Sequence, residues 1–301
     1  MRKKGIITMA VRESATDSFG RFLLTKRGGG VKTKTIETYS QHFHAISKHL
    51  DVRQEIAGMT DEDLRNMVIS MQESKGDKTM INILLEGFDI DAPWLYDELK
   101  NYIQPNHSVA VVAFSFRDNC VKSLSDWNAL YSKECGKYHD GIVGGFTAYG
   151  IPEENISFIN YFTDTKESAA QKIKSADIVY FLGGLPDRMM DRIREFDLCD
   201  ILMQHDGILM GYSAGAVIQL AEYHLSPDDD YPEFRYYKGL PYLNDFYLEV
   251  HYEGTSEQDE SIQRVLAERG KTVYATAVRA GAILVDNGNL KLLGDVKVFG
   301  R

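Results

Sequence analysis

The sequence predicts an α/β protein with a doubly wound, mostly parallel sheet, preceded by a small all-α domain. From residue 81 onward, apolar runs of strand length alternate with helical stretches, as in successive βα units. Runs such as Val109–Phe114 are apolar on both faces, which is typical of buried parallel strands. Residues 1–79 show helical periodicity instead. These observations divide the chain into domains 1–79 and 80–301.

Composition excludes several classes of protein. Of the 301 residues, 44% are hydrophobic and 26% are charged, which is ordinary for a soluble globular protein. No apolar run approaches the roughly 20 residues of a membrane helix. The three cysteines are too few and too scattered for a disulfide framework or a zinc cage. We therefore expect a cytoplasmic protein with no membrane contact, no metal and no cofactor.

The N-terminal domain is predicted to be helical, with one apolar stripe at spacings of 3, 4, 3 and 4 formed by Ile36, Tyr39, Phe43, Ile46 and Leu50. Residues 1–79 hold 14 Lys and Arg against 10 Asp and Glu, a net charge of +4. Residues 80–301 hold 20 against 34, a net charge of −14. Opposite charges suggest different partners for the two domains. A polar, glycine-containing segment at 74–79 marks the boundary.

The second domain has six clear strand predictions, at Ile81–Leu85, Val109–Phe114, Ile156–Tyr161, Ile178–Leu182, Ile208–Tyr212 and Tyr247–His251. Helices are predicted between them, at Trp94–Tyr102, Ala169–Ser175 and Met189–Leu202. Short strands are expected at the end, at Thr272–Ala277, Ala282–Val285 and Leu290–Leu293, with a turn at 286–288.

The pattern Gly-Tyr-Ser-Ala-Gly at 211–215 follows a predicted strand and opens a predicted helix. A serine at such a turn points away from the sheet, and backbone N–H groups at the helix start can stabilise an oxyanion. Gly211, Gly215 and a small Ala214 are expected because a larger residue would collide in so tight a turn. An ordinary tight βα turn is the alternative interpretation of this pattern.

Upstream, the predicted strand at 178–182 runs into Gly183 and Gly184, about one βα unit before Ser213. Such a turn brings backbone amides close to a ligand at the carboxyl edge of the sheet. A serine nucleophile also needs a base, and two histidines are candidates. His224 is predicted at the end of the nucleophile's own helix, pointing away. His251 ends a strand at the same sheet edge, so it is the preferred base.

The stretches "IVYFLGG", "ILMGYSAGAV" and "FYLEVHYEG" together resemble the serine peptidases of the dipeptidase E and cyanophycinase family, over about residues 80–298. The resemblance implies a class I glutamine amidotransferase-like, flavodoxin-like fold and hydrolysis of short peptides through an acyl-enzyme. It implies Ser213 as nucleophile, His251 as base, and the amides of Gly184 and Ala214 as oxyanion donors.

Three features depart from the family pattern. The late turn that carries a Glu in dipeptidase E is here 277–281, which has no carboxylate. The acidic loop at 228–230 offers a replacement, and Asp228 is predicted to orient the base; a solvated acidic loop is the alternative. The segment after His251 has no basic residue before Arg264, which argues against aspartyl specificity. Leu185-Pro186-Asp187 replaces the family's Gly-Asn-Thr and is expected to reshape the pocket wall.

Residues 17–74 resemble the SAM-like core-binding domain of tyrosine recombinases of the phage integrase type, through a Thr-Ile-x-x-Tyr helix and a later Thr-x-Glu-Asp-Leu helix start. The resemblance implies duplex DNA as a partner. The basic side chains expected to contact phosphates are those around the glycine loop, Lys26, Arg27, Lys32 and Lys34. A plain helical surface is the alternative.

Two other functions stay open for the whole chain. One is a catalytically silent ligand-sensing domain fused to a DNA-binding module, which the absent late carboxylate favours. The other is an esterase of the α/β-hydrolase type, which His251 disfavours because it follows Ser213 by only 38 residues. The sequence leaves the oligomeric state open, with a homodimer among the arrangements compatible with it.

Overall fold

The computed structural model describes residues 80–300. Ten strands run through this part of the chain, β1 to β10: Ile81–Leu85, Val109–Val112, Ile156–Ile159, Ile178–Phe181, Ile208–Tyr212, Glu222–Leu225, Arg235–Lys238, Phe246–Tyr252, Thr272–Asp286 and Asn289–Phe299. Eight α-helices accompany them in the same range, α1 to α8: Pro93–Leu99, Leu124–Tyr131, His139–Thr147, Lys166–Ser175, Pro186–Glu195, Cys199–Gln204, Ala214–Val217 and Ser256–Arg269.

The central sheet is mixed and mostly parallel. Its strand order is β10-β9-β1-β5-β4-β2-β3, and β8 pairs with β9 off this path. The strands β3, β2, β4, β5 and β1 are parallel, and β9 joins β1 in the antiparallel direction. Helices flank the sheet, which confirms the predicted α/β class. A separate two-stranded ribbon of β6 and β7, which the sequence did not predict, follows the short helix α7.

The parallel strands are buried on both faces, as their apolar composition predicts. Along β4, Val179 and Phe181 pack in the core on one face of the sheet, whereas Ile178 and Tyr180 pack in the core on the other. All four residues of β2 are likewise buried. Because successive side chains of a strand point to opposite faces, this alternation places the sheet between two hydrophobic layers.

Several predicted elements differ from those observed. The helix predicted at 189–202 is two helices, α5 and α6, separated by Asp197 with a positive φ of 54°. The short terminal strands are one long hairpin, β9 and β10, which turns at Asn287 and Gly288, both with positive φ. The helix after Ser213 has only four residues, so His224 lies on β6 rather than on that helix.

Glu222 links the β6–β7 ribbon to the rest of the domain. Its carboxylate accepts hydrogen bonds from Lys238 at 2.7 Å, from Tyr247 at 2.6 Å and from Arg269 at 2.7 Å. Burial alone would raise the pKa of Glu222, but these hydrogen bonds outweigh it and lower the pKa from its ordinary 4.5 to about 2. The carboxylate therefore stays charged through the physiological range.

The helical domain predicted for residues 1–79 lies outside the described residues, so it and the boundary after residue 79 stay predictions. Within residues 80–300, no helix is long and apolar enough to cross a membrane.

Candidate active site

Ser213 occupies a strained turn between β5 and α7. Its φ and ψ are 51° and −115°, in a region that non-glycine residues rarely adopt. The N–H of Ser213 donates to the carbonyl oxygen of Leu85 at 2.9 Å, which ties the turn to the end of β1. A β-carbon on Gly215 would overlap the backbone of Phe181, and one on Gly211 would overlap Gly215. The predicted steric reason for these glycines is confirmed.

His251 faces Ser213 across the edge of the sheet. The pairing of β8 with β9 shifts register between Glu249 and Tyr252, and His251 has a φ of 54° within this irregularity. Its Nε2 lies 2.7 Å from the Oγ of Ser213. The imidazole side chain is 50% exposed. The structure thus brings together the two residues that the sequence placed at one sheet edge, and leaves the base accessible to a bound molecule.

Glu86 completes the arrangement, and the sequence prediction missed it. Its Oε1 lies 2.5 Å from the Nδ1 of His251, and its Oε2 accepts a hydrogen bond from the backbone N–H of Arg279. The Glu86 side chain is only 4% exposed, and such a buried carboxylate needs partners of this kind. The available signal was an acidic residue directly after the apolar run of β1, at the carboxyl edge where Ser213 and His251 also lie.

Asp228, predicted to orient the base, does not occupy that position. Its Oδ1 accepts hydrogen bonds from the backbone N–H groups of Asp230 at 2.8 Å and Tyr231 at 2.7 Å, and the residue is exposed. This is the local Asx-turn geometry in which an Asp stabilises its own loop. The carboxylate that bonds to His251 belongs to Glu86, directly after β1, and the end of that strand lies beside Ser213.

The paired glycines follow β4 and lie at the same edge. Gly184 has a φ of 139°, and a β-carbon there would overlap the carbonyl oxygen of Ser115. The hydroxyl of Ser115 donates to the carbonyl of Gly183 at 2.5 Å. Within residues 80–300, the N–H groups of Gly184 and Ala214 donate no hydrogen bond. Both predicted oxyanion donors are therefore unengaged in the described structure.

Arg192 fixes the loop that supports this turn. The buried guanidinium donates to the carbonyl oxygens of Phe114 and, at 2.9 Å, Phe116, and it bonds to Asp118 at 2.5 Å. It also stacks over the ring of Phe116, 3.6 Å from the centroid. Because Ser115 lies between the two anchored carbonyls, Arg192 holds in place the residue that contacts Gly183. Nothing in the linear spacing of these residues indicated this network.

The segment after the paired glycines is Leu185-Pro186-Asp187, and its expected effect on the pocket wall stays a prediction. Pro186 opens α5, and the Oδ1 of Asp187 accepts a hydrogen bond from the Tyr231 hydroxyl at 2.6 Å. Arg117 pairs with Asp230 through both its Nε and its Nη2. These two contacts attach the acidic loop at 228–230 and the adjacent Tyr231 to the segments that follow β2 and β4.

The segment after His251 is shaped by Gln258. Its Nε2 donates to the carbonyl oxygen of His251 at 2.8 Å, and its Oε1 accepts from the N–H groups of Glu253 at 2.9 Å and Gly254 at 3.2 Å. Thr255 and Gln258 also form the capping box that opens α8. Gln258 thus fixes the backbone that carries the base.

His224, the other histidine considered as base, is fully buried away from Ser213. Its Nε2 lies 2.7 Å from the Oε2 of Glu249, which also accepts from the Ser226 hydroxyl at 2.8 Å. Its ring stacks on Phe234 with a centroid separation of 5.7 Å. His224 is therefore part of the packing between β6 and β8.

Backbone strain is concentrated at the site. Five residues other than glycine have positive φ between residues 80 and 300, and three of them are Ser213, His251 and Arg279. Such conformations cost about 1–3 kcal/mol each and persist where the surrounding structure enforces them. All three residues connect through hydrogen bonds to Glu86, directly or through His251.

A cavity of about 50 Å³ lies beside Glu86 and Arg279, with Trp94 among its lining residues. This volume is sufficient for a few water molecules. In the part of the chain that the structure describes, no group of His, Cys, Asp or Glu side chains is arranged to hold a metal ion.

Residues 129–293, more than half of the chain, match peptidase family S51. The chain belongs to this family. The match spans Ser213, His251 and the paired glycines and leaves Glu86 outside. No curated protein sequence is significantly similar to the chain.

Two solved structures share the fold. One is described as a "Putative Peptidase E Protein" from Listeria monocytogenes EGD-e, with 16% identity, a TM-score of 0.51, and coverage of 72% of this chain and 99% of that one. The other is a peptidase from an acI-B1 Actinobacterium, with 14% identity, a TM-score of 0.52, and coverage of 74% and 90%.

The family match does not extend to the N-terminal segment. Its resemblance to a recombinase domain stays a prediction, as does DNA binding by Lys26, Arg27, Lys32 and Lys34, which lie outside the described residues.

Proposed function

We propose that this chain is a serine peptidase that hydrolyses short peptides through an acyl-enzyme on Ser213. The observation that carries the proposal is the continuous hydrogen-bonded series from the Ser213 hydroxyl to His251 to the buried carboxylate of Glu86. Membership of peptidase family S51 supports peptides as the substrate class. The resemblance to dipeptidase E supports short ones.

The hydrogen bonds assign the protons. Nδ1–H of His251 donates to Glu86, so the lone pair of Nε2 faces the hydroxyl of Ser213. Nε2 takes the hydroxyl proton as Oγ bonds to the substrate carbonyl carbon. Glu86 stabilises the imidazolium that forms and holds the ring in this tautomer. The base is therefore prepared before substrate binds.

The negative charge of the tetrahedral intermediate develops on the former carbonyl oxygen. The N–H groups of Gly184 and Ala214 are the proposed donors to it, because each is unengaged within residues 80–300 and borders the Ser213 turn or its neighbouring turn. The C–N bond then breaks, and His251 passes its proton to the leaving amine. His251 then takes a proton from water, whose oxygen bonds to the acyl carbon. The bond between that carbon and Oγ breaks, the acid leaves, and His251 returns the proton to Oγ of Ser213.

The silent ligand-sensing alternative rested on the absence of a late carboxylate and on the recombinase-like N-terminal segment. Glu86 supplies a carboxylate to His251 from the opposite end of the domain sequence, which removes the first argument. An esterase would use the same nucleophile. Its reaction differs from that of a peptidase in the leaving group of the substrate, which is an alcohol in place of an amine.

A panel of dipeptides and matched ethyl esters tests the proposal. We expect amide hydrolysis by the wild-type chain and none by Ser213→Ala. Hydrolysis of esters with no dipeptide or tripeptide cleaved would contradict the peptidase assignment, and equal rates in the wild type and Ser213→Ala would contradict serine catalysis.

A further inference from the structure

An exposed aromatic side chain lies at the sheet edge that carries the nucleophile. Phe88 follows Glu86 by two residues and is 52% exposed. Its ring approaches the ring of Tyr212 edge-on, with centroids 6.1 Å apart and an interplanar angle of 61°. Tyr212 directly precedes Ser213 in the chain. We call Phe88 and Tyr212 the aromatic wall.

Tyr212, the inner half of the wall, is packed on two sides. The Tyr212 ring lies over Gly183, where an added β-carbon would overlap its Cε2. Its other side meets the buried ring of Tyr180, with centroids 6.0 Å apart. Tyr212 therefore extends from the paired-glycine turn toward the turn that carries Glu86 and Phe88. Ser213 follows β5, which lies between β1 and β4 in the sheet, so its turn is flanked by these same two turns.

A single exposed apolar residue is ordinary on a protein surface, so exposure alone gives Phe88 no role. Its position does, because its ring extends the aromatic surface of Tyr212, the residue directly before the nucleophile. Aromatic rings pack favourably against other rings and large aliphatic groups. The charge of the domain also opposes acidic substrates. Residues 80–301 carry a net charge of −14, which disfavours the binding of an acidic peptide.

Building on the proposed function, we propose that the aromatic wall makes this peptidase selective for short peptides that carry a bulky apolar side chain next to the scissile bond. Phe88 is then a specificity-determining residue. The bulky side chain can belong to the residue that forms the acyl-enzyme or to the residue that leaves as the amine. Dipeptides with phenylalanine in the first or in the second position distinguish the two.

The peptide test compares Phe-Ala and Ala-Phe with Ala-Ala and Asp-Ala. We expect one phenylalanine dipeptide to exceed Ala-Ala by about tenfold or more in kcat/KM, the range in which hydrophobic pockets discriminate. Phe88→Ala should reduce that ratio to within about threefold. Leu290→Ala is the matched control, because Leu290 is also an exposed large apolar residue but pairs with Val285, level with the start of β1. It should keep the wild-type ratio.

A second measurement does not depend on finding a good peptide. Phenylmethanesulfonyl fluoride and methanesulfonyl fluoride both form an S–O bond to a serine Oγ and release fluoride, with the hydroxyl proton passing to the histidine. The ratio of their inactivation rates reports the aromatic preference. We expect Phe88→Ala to lower this ratio about tenfold relative to wild type and to Leu290→Ala. An unchanged ratio would contradict the proposed role of the aromatic wall but not the role of Ser213 as nucleophile. Failure of both reagents to label Ser213 would overturn the proposed function, and the wall with it.

Discussion

We expect Glu86→Gln to lower kcat by about 10³–10⁴-fold with little loss of folding stability. The part of this reduction in kcat that comes from the lost charge follows from the geometry. With Oε1 of Glu86 2.5 Å from Nδ1 of His251, the carboxylate and the imidazolium have charge centres about 4 Å apart. At an effective dielectric constant of about 20, their attraction is about 4 kcal/mol, which corresponds to about 10³ in rate. The amide of Gln lacks this charge.

A second effect adds to the first, because Arg279 fixes the orientation of the new amide. The Arg279 N–H needs an acceptor, so it retains the amide oxygen and turns the amide NH₂ toward Nδ1 of His251. Nδ1 must then accept, which places the ring proton on Nε2, facing Ser213. In that tautomer the imidazole cannot receive the hydroxyl proton.

The assay is kcat and KM on the best dipeptide, with thermal unfolding as the test of folding. Glu249→Gln is the matched control, since Glu249 is also a buried glutamate bonded to a histidine, His224, but lies outside the site. It should retain wild-type kcat. Activity of Glu86→Gln within tenfold of wild type would refute the orienting role of Glu86.

Three further results are expected. Ser213→Ala and His251→Ala should each lower kcat by about 10⁶-fold, and the double variant should be no worse, because residues acting as one unit are not additive; a double variant much slower than either single one would contradict this. Gly184→Ala should lower kcat by about 10²–10³-fold, since its β-carbon displaces an oxyanion donor, and a change in KM alone would count against that role. The pKa of Glu222 is lowered from 4.5 to about 2, so its contribution to stability is complete above about pH 4.5 and is lost as the pH falls toward 2. Urea titrations from pH 7 to 2 should show a smaller pH dependence of the free energy of unfolding for Glu222→Gln than for the wild type. An equal pH dependence in the two proteins would contradict the contribution of Glu222.

Local patterns in the sequence were sufficient to locate the parallel strands and to predict two of the site residues. Ile81–Leu85 and Ile208–Tyr212 are the predicted strands to the residue, because each is a compact apolar run with clear ends. Ser213 and His251 could be paired because each ends or follows a strand, and parallel strands bring their carboxyl ends to one edge.

Glu86 could not be paired with His251 in the same way. The two are 165 residues apart in sequence, and the contact depends on β1 lying between β5 and β9. Strand order of this kind is not encoded in any local pattern. The family resemblance directed attention to an acid late in the chain, and the acidic loop at Asp228 fitted that expectation by distance alone.

The break at Asp197 and the β6–β7 ribbon were missed for a related reason. Residues 189–202 have continuous helical composition, and no local signal marks Asp197, whose φ of 54° ends the first helix. The residues of β6 and β7 pair with each other and pack on β8, and short pairs of this kind give little periodic signal.

The most direct test of serine catalysis is covalent labelling with a fluorophosphonate, followed by intact-mass measurement and peptide mapping. We predict one adduct per chain, located on Ser213, formed by the wild type and by Glu249→Gln. Ser213→Ala should form none, and Glu86→Gln should label about 10³-fold more slowly than wild type. An unlabelled wild-type chain, or an adduct on any residue other than Ser213, would contradict the central claim.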